Sequence, residues 1–160
     1  PMLHNLMQQF LEDVEWGELD YLIMDLPPGT GDIQMSLGQL APISGAVIVS
    51  TPQDLALNVA VKAVDLFKAL KVPIAGLIEN MSYYVCPKCG DRQDIFGTNG
   101  AENMSKELQV PLLGAVPLEI GIRKASDKGT PITISEPESP AGEAFDSIAR
   151  RLSVRLAELS

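Results

Sequence analysis

The sequence predicts an α/β fold, a parallel sheet flanked by helices. Two observations carry this. Short apolar runs at residues 19–25, 46–50, 74–78 and 112–116 have the length and composition of strands buried on both faces. Between and after them lie segments whose apolar residues recur at helical spacing. Alternation of buried strands with helices is the signature of a parallel sheet with right-handed crossovers.

The elements follow in chain order. Leu3, Leu6, Met7, Phe10, Leu11 and Val14 recur at helical spacing and predict a first helix. That helix begins directly after Pro1, with no initiator Met and no preceding loop, so the chain is expected to be part of something longer. Residues 19–25 are an apolar run ending in Asp25, read as a strand, and Pro27, Pro28, Gly29, Thr30, Gly31 and Asp32 break it. Asp32 is placed to cap a helix from 33 to about 40. Residues 46–50 form the second strand. From 54 to 71, Asn58, Lys62, Asp65, Lys68 and Lys71 fall three or four apart, one wet stripe on an otherwise apolar helix. Residues 74–78 are the third strand, 81–98 are irregular, 101–108 are helical, and 112–116 are the fourth strand. Ser139 and Pro140 form an N-cap and first-turn pair before a last helix marked by Phe145, Ile148, Leu152, Leu156 and Leu159. No internal repeat, low-complexity tract or linker interrupts the 160 residues, and 1–160 is expected to be a single domain.

Composition excludes several classes of function. A chain of 160 residues with 46% hydrophobic content and a mean hydropathy of +0.12 is globular rather than disordered. A net charge of −9 opposes nucleic-acid binding, which depends on neutralising phosphates with Lys and Arg. No apolar run approaches ~18 residues, so no membrane span is expected. With no visible signal peptide and no disulfide framework, a cytoplasmic setting is the default.

Chemistry concentrates at the only two cysteines, Cys86 and Cys89, in Tyr84-Val85-Cys86-Pro87-Lys88-Cys89-Gly90. Two thiolates three positions apart make half of a soft-metal site, since structural zinc and iron–sulfur clusters take about four protein ligands. The sole histidine, His4, is remote in sequence. A two-fold dimer repairs the deficit by setting the pair opposite itself. Three readings compete with this. A redox couple of the thioredoxin kind belongs at a helix N-terminus. A zinc ribbon would need ligands of other kinds. A pair of ordinary buried thiols fits poorly among Lys88, Asp91, Arg92 and Asp94. Pro87 inside the pair and Gly90 after it suit a tight knuckle with backbone N–H groups turned toward sulfur.

A second constellation surrounds Asp25. A carboxylate ending a buried strand has the pattern of an acid that holds Mg²⁺ beside a nucleotide, and the glycines at 29 and 31 allow backbone N–H groups to approach a terminal phosphate. Taken alone, Asp25 would as easily start a turn. The phosphate cradle G-x-x-x-x-G-K-[ST] occurs nowhere in these residues. The chain alone is therefore expected to bind ATP poorly or not at all.

Residues 20–32, then Glu79-Asn80-Met81-Ser82, then Cys86-Pro87-Lys88-Cys89-Gly90 stand in an order that resembles the Mrp family. That family comprises iron–sulfur P-loop ATPases with a deviant Walker A motif, similar to MinD and the nitrogenase iron protein. The likeness covers essentially all 160 residues and corresponds to the later two-thirds of the family's ATPase domain. The resemblance implies a P-loop NTPase fold lacking its N-terminal Walker A part. It implies that Cys86 and Cys89 ligate a four-iron four-sulfur cluster bridging a homodimer, for transfer to apo iron–sulfur acceptor proteins. Asp25 takes the Walker B or switch role near Mg²⁺, and Gly29, Thr30 and Gly31 lie near the γ-phosphate. Asn80 recognises adenine, and the turn of Pro117, Leu118 and Glu119 lies alongside the base. For Asn80 the bland alternative is a strand-end residue capping local backbone.

Two functional classes are therefore expected to compete. One is an ATP-dependent cluster carrier whose switch loop after Asp25 alters the dimer around the cysteines. The other is a non-enzymatic, zinc-bridged dimer or scaffold. A positioning ATPase of the MinD kind is weaker, because it needs no cysteine pair.

Overall fold

The computed structural model of the protein describes residues 2–27 and 31–159. Its centre is a three-stranded parallel sheet in the order β1-β2-β5, from β1 (Ala46–Ser50), β2 (Ile74–Glu79) and β5 (Leu112–Ala115). Helix α3 (Asp54–Ala69) connects β1 to β2, and α4 (Gly100–Leu108) precedes β5. Parallel neighbours require such crossovers.

The sheet is covered on both faces. Ala46, Ile48 and Leu77 meet Ala60, Val64 and Phe67 of α3 and Met104 of α4. On the opposite face Leu113 and Val116 pack on Ile148 of α7 (Pro140–Leu159), with Val47, Ile78 and Leu152 around them. A smaller cluster of Ala125, Ile132 and Ala141 joins α7 to α5 (Ile120–Asp127) and α6 (Ile132–Ser135). The expected wet stripe of α3 is exposed throughout, as its polar spacing requires. Helix α3 ends two residues early. Leu70 caps it and Lys71 turns into the left-handed region at φ 60, the conformation that stops a helix before Pro73. Ser139 does cap α7, its Oγ accepting from the Gly142 N–H at 3.1 Å.

Three local expectations are overturned. Helix α1 (Met2–Glu12) stops short of Val14, and Leu6 and Phe10 of its apolar stripe are exposed. Helix α2 (Asp32–Leu40) has Gly31 at its cap position. Asp32 is the first helical residue, and its charge favours the helix N-terminus without a capping bond. The run 19–25, expected as a strand buried on both faces, forms no strand, and Ile23 is 85% exposed. Its hydrophobicity is ample, but a strand also needs a hydrogen-bonded neighbour. The sheet of described residues ends at β1, which pairs only with β2. Beyond it, Leu26 packs against the α3 face of the core, and the Tyr21 and Ser153 hydroxyls hydrogen-bond at 2.8 Å.

The segment expected to be irregular contains one regular feature. Strands β3 (Tyr84–Val85) and β4 (Arg92–Gln93) pair antiparallel, Tyr84 opposite Gln93 and Val85 opposite Arg92. They carry the cysteines at their tip. Two residues per strand give too little periodicity to register in a sequence.

Candidate functional site

The hairpin makes the expected knuckle. The Cys86 N–H donates to the Asp91 carbonyl at 2.9 Å, and the Gly90 N–H donates to the Cys86 carbonyl at 2.8 Å. Gly90 has φ +74, where a side chain would be strained. The Cys86 sulfur accepts backbone N–H groups, from Lys88 first and then Cys89. These donors, with the Cys89 side chain, hold its thiol below the usual range. Fixed donors of this kind suit a metal-bound thiolate. Both cysteines are free; Cys86 is half-buried and Cys89 exposed. Among the described residues no group of three or more His, Cys, Asp or Glu side chains could hold a metal ion, so the pair remains two ligands. It sits at a hairpin tip and not at a helix N-terminus, which removes the geometric basis of the thioredoxin reading.

The carboxyl ends of β2 and β5 form a second surface. Ser82 N–H donates to the Val116 carbonyl at 2.9 Å and Leu118 N–H to the Tyr83 carbonyl at 2.7 Å, so the chain leaving β2 runs beside the chain leaving β5. This brings Asn80 and Pro117 to neighbouring strand ends, where open parallel sheets bind ligands. Asn80 Oδ1 accepts from the Met81 N–H at 3.0 Å, the local cap weighed as its bland role, and its backbone N–H reaches the Ser50 carbonyl at 2.7 Å. Pro117 is buried.

The loop after Asp25, expected to face a nucleotide, is only partly described. Gly29 and Thr30 lie outside the described residues, and Gly31 is extended and exposed ahead of α2. Asp25 is exposed on the segment without a ladder. Buried Gln34 braces this stretch, its Nε2 donating to the Pro27 carbonyl at 2.7 Å.

One residue of the 79–82 motif, Glu79, carries no role from the sequence but is set apart by its surroundings. Glu79 is buried at 6% exposure, where β2 ends. Its Oε1 accepts from Ser82 Oγ at 2.5 Å and its Oε2 from the Ala101 N–H at 2.7 Å. Asn99, at the cap position of α4, is left-handed and makes no side-chain cap, so Glu79 supplies the carboxylate from another element. The available signal was an acid at the end of an apolar run with Ser82 three residues on.

A sequence model of the NUBPL iron-transfer P-loop NTPases (ParA) matches residues 1–153. The chain belongs to this family. An iron-sulfur cluster carrier protein of Deinococcus radiodurans is 53% identical over 152 residues, which are 95% of this chain and 43% of that protein. The iron-sulfur cluster transfer protein NUBPL of Mus musculus is 48% identical over 155 residues, 97% of this chain and 49% of that protein. The chain thus spans less than half the length of these relatives of the NUBPL family. Among solved structures, a nucleotide-binding protein of Archaeoglobus fulgidus in complex with ADP superposes with a TM-score of 0.77 and 39% identity, over 90% of this chain and 58% of that one. The cell division ATPase MinD of Pyrococcus furiosus superposes at 0.69 with 22% identity, over 96% of this chain and 57% of that one, which shows a shared fold. The P-loop NTPase architecture expected from the sequence is thereby established.

Proposed function

We propose that these residues are the cluster-holding part of an ATP-dependent iron–sulfur cluster carrier. The observation that carries this is the Cys86–Cys89 knuckle. Two free thiols, half-buried Cys86 and exposed Cys89, stand three positions apart at a hairpin tip, with backbone N–H donors about the Cys86 sulfur and no further ligand group beside them among the described residues. Two copies of the chain supply the four thiolates of a bridging four-iron four-sulfur cluster, so the carrier is a homodimer and the cluster is its cargo. Shared, exposed ligation suits a cargo that must leave for an apo acceptor protein. The relatives named as cluster carrier and transfer proteins support this reading. Free thiols suit a reducing compartment, in keeping with the cytoplasm. Among the described residues no helix is long and apolar enough to cross a membrane.

The nucleotide half of the proposal needs more than this chain. Asn80 and Pro117 stand together where a base would lie, and Asp25 and the 29–31 loop supply the Mg²⁺-side and γ-phosphate-side groups of the Walker B reading. The donor set does not fit a triphosphate, because no G-x-x-x-x-G-K-[ST] cradle exists in the 160 residues. ATP turnover is assigned to the longer proteins of the family, in which residues 1–160 form part of one α/β ATPase domain.

Anaerobic reconstitution of the chain with ferrous iron and sulfide tests the cluster half. The expected outcome is a brown dimer with four iron and four sulfide per two chains. Cys86→Ala or Cys89→Ala, each removing two of four ligands, should abolish loading while circular dichroism stays unchanged. A chain that takes up zinc but no sulfide would establish the zinc-bridged scaffold instead.

A further inference from the structure

The hydrogen bonds described between Tyr84 and Thr98 all close within that segment: the β3–β4 pairing, the knuckle, and the contacts among Asp91, Arg92, Gln93 and Asp94. None of these residues belongs to the hydrophobic clusters of the described core. Outside the segment Arg92 lies over the Tyr83 ring at 4.0 Å, beside the entry, so the hairpin is a small unit whose place on the sheet is set at its two ends and by that contact. One side chain grips both ends. Glu79 holds Ser82, where the chain leaves β2 for the hairpin, and Ala101, where it returns as α4. The return end also lies close to the chain leaving β1: a Cβ on Gly100 would stand 2.8 Å from the Pro52 carbonyl oxygen.

We propose that Glu79 is a positioning residue for the cluster. Its carboxylate clasps the entry and exit of the cysteine hairpin, so that Cys86 and Cys89 of two chains meet in one register. The proposal rests on the cluster-carrier reading above. The chemistry favours a carboxylate for three reasons. It offers two acceptor oxygens, one per end. Charge-assisted bonds to a hydroxyl and to a helix N-terminal N–H are stronger than neutral ones. The positive end of the α4 dipole offsets the charge. Glutamine preserves both bonds, since Oε1 can accept from Ala101 and Nε2 can donate to Ser82 Oγ. Alanine removes both and leaves two buried donors unpaired.

The test compares wild type, Glu79→Ala, Glu79→Gln and Ser82→Ala. Each is reconstituted anaerobically, and cluster loss to a ferrous chelator is followed by visible absorbance. Amide hydrogen exchange is mapped on the same proteins before and after loading. Glu79→Ala is expected to release cluster on the order of tenfold faster, as befits a lost charge-assisted hydrogen bond. Exchange should rise across residues 82–100 and stay unchanged in β1 and β5. Glu79→Gln keeps both bonds without their charge and should recover most, not all, of the wild-type lifetime. Because it also keeps the volume, Ser82→Ala, which removes one bond with little change in volume, is the variant that separates the clasp from packing. Ser82→Ala cuts one arm only and should fall between; it serves if Glu79→Ala does not fold. Wild-type cluster lifetime and wild-type hairpin exchange in Glu79→Ala, or in Ser82→Ala should that variant stand in, overturn the clasp. Failure of the wild type to take up a cluster overturns the carrier reading instead, while the exchange map still decides whether Glu79 holds the hairpin.

Discussion

Two stretches of this chain share one pattern and end differently. Residues 19–25 and 74–79 are each short apolar runs closed by an acid, Asp25 in one and Glu79 in the other. The second becomes β2, paired with β1 on one side and β5 on the other. Leu77 is 1% exposed, and its acid is buried against two donors. The first forms no strand, and Asp25 faces solvent. Apolar content was equal to the task in both. The difference is the neighbour: a strand with partners on both edges satisfies its backbone and covers its side chains at once, whereas a run without a ladder does neither.

The comparison can be pressed by substitution. Leu77→Ala removes a fully enclosed side chain and should cost about 2–5 kcal/mol in urea unfolding. A smaller loss would mean that β2 is packed less tightly than its burial indicates. Asp25→Asn should leave stability unchanged but act on chemistry. In a chimera carrying the G-x-x-x-x-G-K-[ST] segment of a family member, ATP turnover should fall on the order of a hundredfold, with cluster loading intact. Unchanged turnover would remove Asp25 from the Walker B role.

Cys86 offers a milder probe. Backbone N–H donors favour its thiolate, so the pH midpoint of its alkylation by iodoacetamide, mapped by mass spectrometry, should lie lower in the folded chain than in urea. Equal midpoints would mean that the knuckle donors do not reach the sulfur in solution. Ile23→Ser should change stability least, within about 0.5 kcal/mol, because the side chain is already in water. A loss comparable to that at Leu77 would show that the 19–25 run is covered in solution, by a second copy or by its own chain.

Much of the fold was legible because burial writes itself into composition. The runs at 46–50, 74–78 and 112–116 are strands within a residue, and the helices over 54–69, 100–108 and 140–159 follow their apolar spacing. The pairing of Cys86 with Cys89 in a knuckle was equally legible, since Pro87 and Gly90 are local turn chemistry. The β3–β4 hairpin and α6 were not, being shorter than any period. Asn80 shows a limit of another kind. Its side chain caps Met81 in this structure, and the same amide in the same place serves a base-reading role in the proposal.

The sequence by itself determined the α/β class, the family, the thiol pair and the absence of a phosphate cradle, because each is a matter of residue type at fixed spacing. Only the tertiary structure decided which apolar runs become strands, that Asn80 and Pro117 share one strand-end surface, and that Glu79 grips both ends of the cysteine hairpin. These outcomes depend on partners from distant parts of the chain. Ladder bonds and buried carboxylates are satisfied by whatever the fold brings beside them, and no local spacing records it.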